Sequence, residues 1–249
     1  GPRGFLLEQC NLYRVNLRGA HLYGIRIKGG SLMKADVSDA NLHCAELHDV
    51  NLLGIRWKNT RLDNLDTGRR LMQDRKGRSE RDPVQARVWF KEAEETYRDL
   101  RKASEAQGIF TMSGRYIQQE LTMRRLQMPF WSYHRFASWI VDLFCGYGEA
   151  PMRVVLFSLL LIFICSIFYF FCGLNFAGNH LIYRPEATLE ENAIFLLECL
   201  YYSVVTFTTL GYGDFTPVGL SRIFAAFEAF TGSFTLALFV VVFVKKMTR

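Results

Sequence analysis

Thr206-Phe207-Thr208-Thr209-Leu210-Gly211-Tyr212-Gly213-Asp214 sets two glycines two residues apart among larger side chains, so its backbone can adopt φ values closed to other residues. It closes an apolar segment, residues 194–210, that carries Glu198 and is too short and too polar to cross a bilayer comfortably. That segment is preceded by Thr188-Leu189-Glu190-Glu191. In this S/T-x-x-E form the hydroxyl and the carboxylate each satisfy a free backbone N–H, which predicts a helix over 189–207. The helix cannot continue past Gly211. Long apolar runs lie on both sides: residues 154–172 carry no charge, and residues 223–244 are interrupted only by Glu228. At about 1.5 Å per residue each can cross about 30 Å of hydrocarbon. Irregular backbone at membrane depth is tolerated only where protein surrounds it or it lines water. Spans at 152–174 and 220–246, with a half-length helix and an irregular 208–214 segment between them, therefore predict a pore loop.

The segment resembles the potassium-channel signature. Thr209-Leu210-Gly211-Tyr212-Gly213 stands where that family has T-V-G-Y-G, with Leu210 replacing the usual Val. The resemblance implies a homotetramer in which carbonyls of Thr209, Leu210, Gly211 and Tyr212 from four chains, with the Thr209 hydroxyl, replace the water shell of K+; Gly213 completes the ion-binding stretch. Leu210 keeps the carbonyl and enlarges only the side chain behind it, so altered stability of the conducting form is expected more than lost selectivity. Tyr201 and Tyr202 fall where the family places an aromatic pair bracing Tyr212 and Asp214 from behind, with Thr208 in the same support. Some bacterial members pair a pore-helix Glu with the Asp after the filter. The corresponding residue here is Val205, which puts inactivation control through that pair in doubt. Glu228 and Gly232 occupy the region where the family often bends its inner helix, and both are gating candidates. Gly232 reads equally as a hinge, at a cost of about 1 kcal/mol of helix propensity, or as a site of close packing against the pore helix. Glu228 is costly in lipid. A structural bond to the pore-helix end is its first reading and attraction of cations its second.

The first 65 residues repeat every five. Leu7, Leu12, Leu17, Leu22, Ile27, Leu32, Val37, Leu42, Leu47, Leu52, Trp57 and Leu62 mark the period. Two positions earlier stand mostly small or β-branched residues such as Ala35, Ala40 and Ala45, and the residue between is often Asn, Asp or His. A period of five fits neither helix nor flat strand, so the chain has to turn a corner at each repeat. Ala40-Asn41-Leu42-His43-Cys44 resembles the pentapeptide-repeat family. The resemblance implies a right-handed quadrilateral β-helix, four pentapeptides per coil, here about three coils long. Trp57 departs from the pattern and is expected to close one end. Some relatives are acidic mimics of DNA; the nine basic and six acidic residues of 1–65 argue against that role and for an assembly module.

Over all 249 residues the chain is 50% hydrophobic and 22% charged, with a mean hydropathy of +0.05. The net charge of +6 lies entirely in residues 1–152, since residues 153–249 carry six basic and six acidic groups. Purely soluble, disordered and disulfide-framed secreted classes are thereby disfavoured, and no signal peptide is expected at Gly1-Pro2, which has the form of a protease-cleavage remnant. Residues 66–128 read as a cytosolic helical connector: Asp82 caps a helix with Pro83 in its first turn, Val84, Val88, Ala93, Tyr97 and Leu100 keep apolar spacing, and Gly108 ends it. A second helix carries Tyr116, Ile117, Glu120, Leu121 and Arg124. Interspersed Glu and Asp argue against nucleic acid. The aromatic stretch 129–151, with Trp131, Phe136 and Trp139, reads as an amphipathic helix along the lipid surface.

Basic residues flank the two spans, whereas residues 173–219 hold Arg184 against Glu186, Glu190, Glu191, Glu198 and Asp214. The positive-inside tendency then puts both termini in the cytoplasm of a multi-pass inner-membrane protein. The six cysteines and five histidines lack metal-ligand spacing, and no nucleophile, base and orienting group converge, so neither a cofactor nor an enzyme is expected. The expected class is mixed: β-helix over 1–65, connector over 66–128, interfacial helix over 129–151, and an all-α two-transmembrane pore domain over 152–249. As a whole the chain resembles a prokaryotic potassium channel of inward-rectifier-like topology bearing a pentapeptide-repeat domain. A non-selective or Na+-permeable channel and a non-conducting membrane scaffold are the alternatives.

Overall fold

The computed structural model describes residues 4–247; Gly1-Pro2 and Arg249 lie outside the described residues. The chain divides into two compact units, one reaching Glu149 and one beginning at Ala150.

In the first unit the five-residue period becomes backbone geometry. Positive φ recurs at every fifth residue, as at Arg14, Lys34, Asp39, Cys44, Asp49, Asn59 and Asn64 (54 to 62°), with Gly19, Gly24, Gly29 and Gly54 filling other corners. In half of the twelve repeats a short polar residue stabilises its own corner. Asn11, Asn16, Ser31, Asp36, Asn41 and Asn51 each accept from the backbone N–H two residues on, at 3.1 to 3.2 Å, as short polar side chains do in turns. Successive coils pair in parallel at an offset of 20 residues. Leu6–Glu8 (β1), Arg26–Lys28 (β2) and Glu46–His48 (β3) align Leu6 with Arg26 and Arg26 with Glu46. Isolated bridges such as Asn11 to Ser31, Asn16 to Asp36 and His21 to Asn41 form three further ladders. The regular sheet is small, because each side of a coil is straight for only about three residues. Inside it, Leu32, Leu42, Leu47, Leu52 and Leu62 stack with Ala35, Ala40 and Ala45, all buried.

Leucines of the first coil, Leu7, Leu12, Leu17 and Leu22, are only partly buried, whereas the last coil is covered by helices. Trp57 is buried within the core, and the end beyond it is closed by Pro83–Ala106 (α2) and Phe110–Gln127 (α3). Gln107 accepts from the Leu62 N–H at 3.0 Å and donates to the Thr60 carbonyl at 2.5 Å. Tyr97 accepts from the Leu71 N–H at 3.1 Å, and Thr67 bonds Tyr116 at 3.3 Å. Asp82 caps α2 by accepting from the N–H groups of Val84 and Gln85. The buried stripe of α2 is Ala86, Phe90, Ala93, Tyr97 and Leu100, which corrects the expected one: Val84 and Val88 are exposed, because residues 72–79 and α3 pack on the neighbouring face. The two helices run antiparallel, with Glu120 accepting from Arg98 at 3.1 Å and Arg101 at 2.8 Å, and Gln127 reaching back to Glu94 at 2.6 Å.

A short helix, Met72–Ser79 (α1), has no counterpart in the sequence reading. It buries Gln73, Asp74 and Gly77 in place of apolar residues; the Asp74 carboxylate is held by Arg78 at 2.6 Å and Tyr97 at 3.3 Å. Tyr133–Cys145 (α4) is shorter than the anticipated 129–151, ending at left-handed Gly146. The Arg125–Asp142 ion pair, 2.8 Å, ties it to α3. Tyr133, Phe136, Trp139, Ile140 and Leu143 remain exposed on it.

The second unit holds Pro151–Cys172 (α5), Leu189–Phe207 (α6) and Ser221–Met247 (α7). α5 and α7 are long and apolar enough to cross a membrane, and only 22% of each apolar window is buried, unlike a core helix. Three short strands, Leu174–Phe176 (β4), Asn179–Leu181 (β5) and Phe215–Pro217 (β6), pair antiparallel in the order β5-β4-β6. Phe176 faces Phe215 in register and their rings stack at 4.7 Å. The Ser221 hydroxyl donates to the Gly173 carbonyl at 2.7 Å, fixing the start of α7 to the end of α5.

Candidate functional site

α6 starts where its capping box stands. The Thr188 hydroxyl accepts from the Glu191 N–H at 3.2 Å, and the Glu191 carboxylate accepts from the Thr188 N–H at 3.0 Å. At its other end the chain tightens: the Leu210 N–H reaches back to the Val205 carbonyl at 3.0 Å, and the Thr208 hydroxyl to the Val204 carbonyl at 2.7 Å. Val205, buried, thus anchors the start of the irregular segment through its main chain. Thr209 (φ 58°), Gly211 (φ 56°) and Gly213 (φ 79°) lie in the left-handed region, and Leu210 and Tyr212 between them do not. The glycines were expected to take such values; Thr209, β-branched, adds a third at a cost of about 1–3 kcal/mol. Alternating hands let successive carbonyls face one side, whereas in a strand they point alternately to opposite sides.

The segment is then taken up by β6. Asp214 Oδ1 accepts from the Phe215 N–H at 2.9 Å, and Phe215 is paired to β4. Leu210 and Tyr212 are 59% and 67% exposed, and no residue from 209 to 214 is buried within the chain. The aromatic pair splits. Tyr201 sets its ring against Phe215, next to Asp214, at 6.1 Å. Tyr202 turns into the chain, edge-on to Tyr169 of α5 at 4.9 Å, and so does not brace Tyr212 of its own chain.

Glu228 is fully buried behind this segment. Tyr169 donates to its Oε2 at 2.5 Å, and Oε1 bonds the Ser203 hydroxyl, which also donates to the Ile162 carbonyl at 2.9 Å. Ser203 thereby bridges α5 and α7, and the buried Glu228 carboxyl is held by two hydroxyls, one from α5 and one from α6. The bond to the pore helix expected for Glu228 is thus present, at Ser203 and not at the helix end, and Glu228 faces protein. Gly232 packs against that end: a Cβ there would overlap the Phe207 carbonyl, 2.8 Å from its carbon. Close packing is what this position requires here. Tyr169 and Ser203 were missed because each reads as an ordinary residue of an apolar helix; buried Glu228 was the signal that partners had to exist.

Residues 156–249 match the family described as "Ion channel". The matched part contains α6, residues 208–214 and α7, so the C-terminal portion is similar to ion-channel domains. A 56-residue stretch is 39% identical to Protein LctB of Geobacillus stearothermophilus, covering 22% of this chain and 42% of that protein. A solved pentapeptide repeat protein from the cyanobacterium Cyanothece 51142 is 31% identical, over 26% of this chain and 44% of that one, with a TM-score of 0.25. The aligned regions thus span less than half the length of each relative.

Proposed function

We propose that four copies of this chain surround one axis and conduct K+ passively, with residues 208–214 as the selectivity filter. The carrying observation is the segment itself. It hangs between a capped half-length helix and β6, alternates backbone handedness at 209, 211 and 213, and exposes Leu210 and Tyr212 in the single chain. At membrane depth such backbone needs surrounding protein or lined water, and further copies of the chain supply both. Carbonyls of Thr209, Leu210, Gly211 and Tyr212, with the Thr209 hydroxyl, then replace the hydration of K+, while Gly213, Thr208, Asp214, Tyr201 and Tyr202 support the ribbon. The net charge of the segments favours both termini in the cytoplasm.

In this reading residues 1–65 are a right-handed four-sided β-helix, supported by the 20-residue offset of the bridges and the corner at every fifth residue. They serve assembly or gating of a prokaryotic channel of two-span topology. The exposed aromatic face of α4 lies at the lipid headgroups.

Purified protein in K+-loaded liposomes tests this. Flux abolished by Gly213→Ala, and reversal potentials that follow K+ in K+/Na+ mixtures, are the expected results. Potentials that follow Na+ equally would make it a non-selective channel, and no flux at all a scaffold.

A further inference from the structure

Beyond the pore, the first unit holds a cluster of cations at the junction between the last coil and the helices that cover it. Arg69, Arg70 and Arg75 line a cavity of about 470 Å3 together with His48, Asp49 and Gly68, within the size range of small-molecule sites. The carboxylates present are already engaged. Asp49 pairs with Arg75, and Asp66 accepts from the Gly68 N–H at 2.8 Å and bonds His48 at 3.1 Å. Arg115 of α3 donates to the Gly68 carbonyl and adds a further cation at the rim. Four arginines against two aspartates leave a local charge of +2. Among the described residues neither Arg69 nor Arg70 pairs with a carboxylate, and both are exposed.

We propose that this junction binds a phosphoryl group, gripped by Arg69 and Arg70. The guanidinium fork matches phosphate oxygens bidentately, and a phosphate monoester at neutral pH brings about the −2 that the cluster lacks, where one carboxylate brings only −1. An occupant would link the turn at Gly68, which Arg115 and the Thr67–Tyr116 bond already tie to α3, to Arg75 on α1. Binding therefore stiffens the joint between coils and helices. The group can belong to a soluble phosphate or to an anionic lipid headgroup, two sources with one chemistry.

The test uses the full chain in phosphatidylcholine nanodiscs titrated with inorganic pyrophosphate, and in nanodiscs of an equal phosphatidylcholine and phosphatidic acid mixture without it. Calorimetry and hydrogen exchange over residues 66–75 are the readouts, so the outcome does not depend on whether the protein conducts. Arg69→Gln/Arg70→Gln is compared with Arg81→Gln/Arg87→Gln, which removes the same charge elsewhere on the surface. Expected is pyrophosphate binding with protection of 66–75, weakened about tenfold per arginine in the first variant and unchanged in the second. Protection arising only in the phosphatidic acid discs, and lost in the first variant alone, assigns the headgroup as the source. Equal weakening in both variants, or no binding and no protection in either arm, overturns the proposal.

Discussion

Replacing Glu228 by leucine removes the acceptor of the Tyr169 hydroxyl, which is fully buried among α5, α6 and α7. Ser203 keeps its bond to the Ile162 carbonyl, so one group is stranded, and an unsatisfied buried hydroxyl costs about 1–3 kcal/mol. Removing both partners is different. In Tyr169→Phe/Glu228→Leu no polar group is left unpaired, and replacing both members of a bonded pair by apolar groups is close to neutral. The double variant is therefore expected to recover most of the loss, with a coupling of about 1–3 kcal/mol across the cycle. Glu228→Gln keeps a carbonyl oxygen for Tyr169 and an N–H for Ser203, and stays near wild type. Thermal unfolding of the detergent-solubilised protein measures these three variants together with Tyr169→Phe, which completes the cycle. A double variant as unstable as Glu228→Leu, or a Glu228→Gln equally unstable, would refute this pairing of Glu228 with Tyr169 and Ser203.

Gly232→Ala places a methyl group on the Phe207 main chain, which cannot rotate aside. The clash costs about 1–3 kcal/mol and exceeds the gain of about 1 kcal/mol in helix propensity, so a lower melting temperature and reduced flux are expected. Leu210→Val trims the side chain behind the segment and should change open probability in single-channel recordings while K+/Na+ selectivity persists. For Asp66, burial works to raise the carboxyl pKa, but the Gly68 N–H and His48 outweigh it, and the net result lies below the ordinary 3.8. A depressed carboxyl stabilises the fold fully above its unfolded value and loses that contribution as pH falls through the folded one. The melting advantage of wild type over Asp66→Asn should thus be constant above about pH 5 and vanish near about pH 2, remaining small because the group is half-exposed.

Features written in local chemistry were legible in the sequence. Thr188 and Glu191 fixed the start of α6, the five-residue period announced its corners, and long apolar runs marked where α5 and α7 lie. What escaped depends on distant partners or on very short elements. β4 and β6 have three residues each, too few to display alternation. α1 buries Gln73, Asp74 and Gly77, so no apolar stripe advertises it; Gly77 is needed because a Cβ would meet the Phe90 ring at 2.7 Å. Val84 and Val88 kept helical spacing yet face solvent, since the side from which α1 and α3 pack on α2 is set by tertiary contacts. Ser203 and Tyr169 stand 25 and 59 residues from Glu228, beyond any local pattern.

Because each corner falls on a fixed fifth position and each bridge reaches 20 residues ahead, the N-terminal module has a quantised length. A one-residue insertion throws every later side chain out of phase with the coil beneath it. Five extra residues keep the phase but swing the exit of the chain to the adjacent wall, away from the helices that seal the last coil. Only whole twenties extend the module while delivering that seal to the same side, so natural or engineered variants of different reach should differ by multiples of this unit.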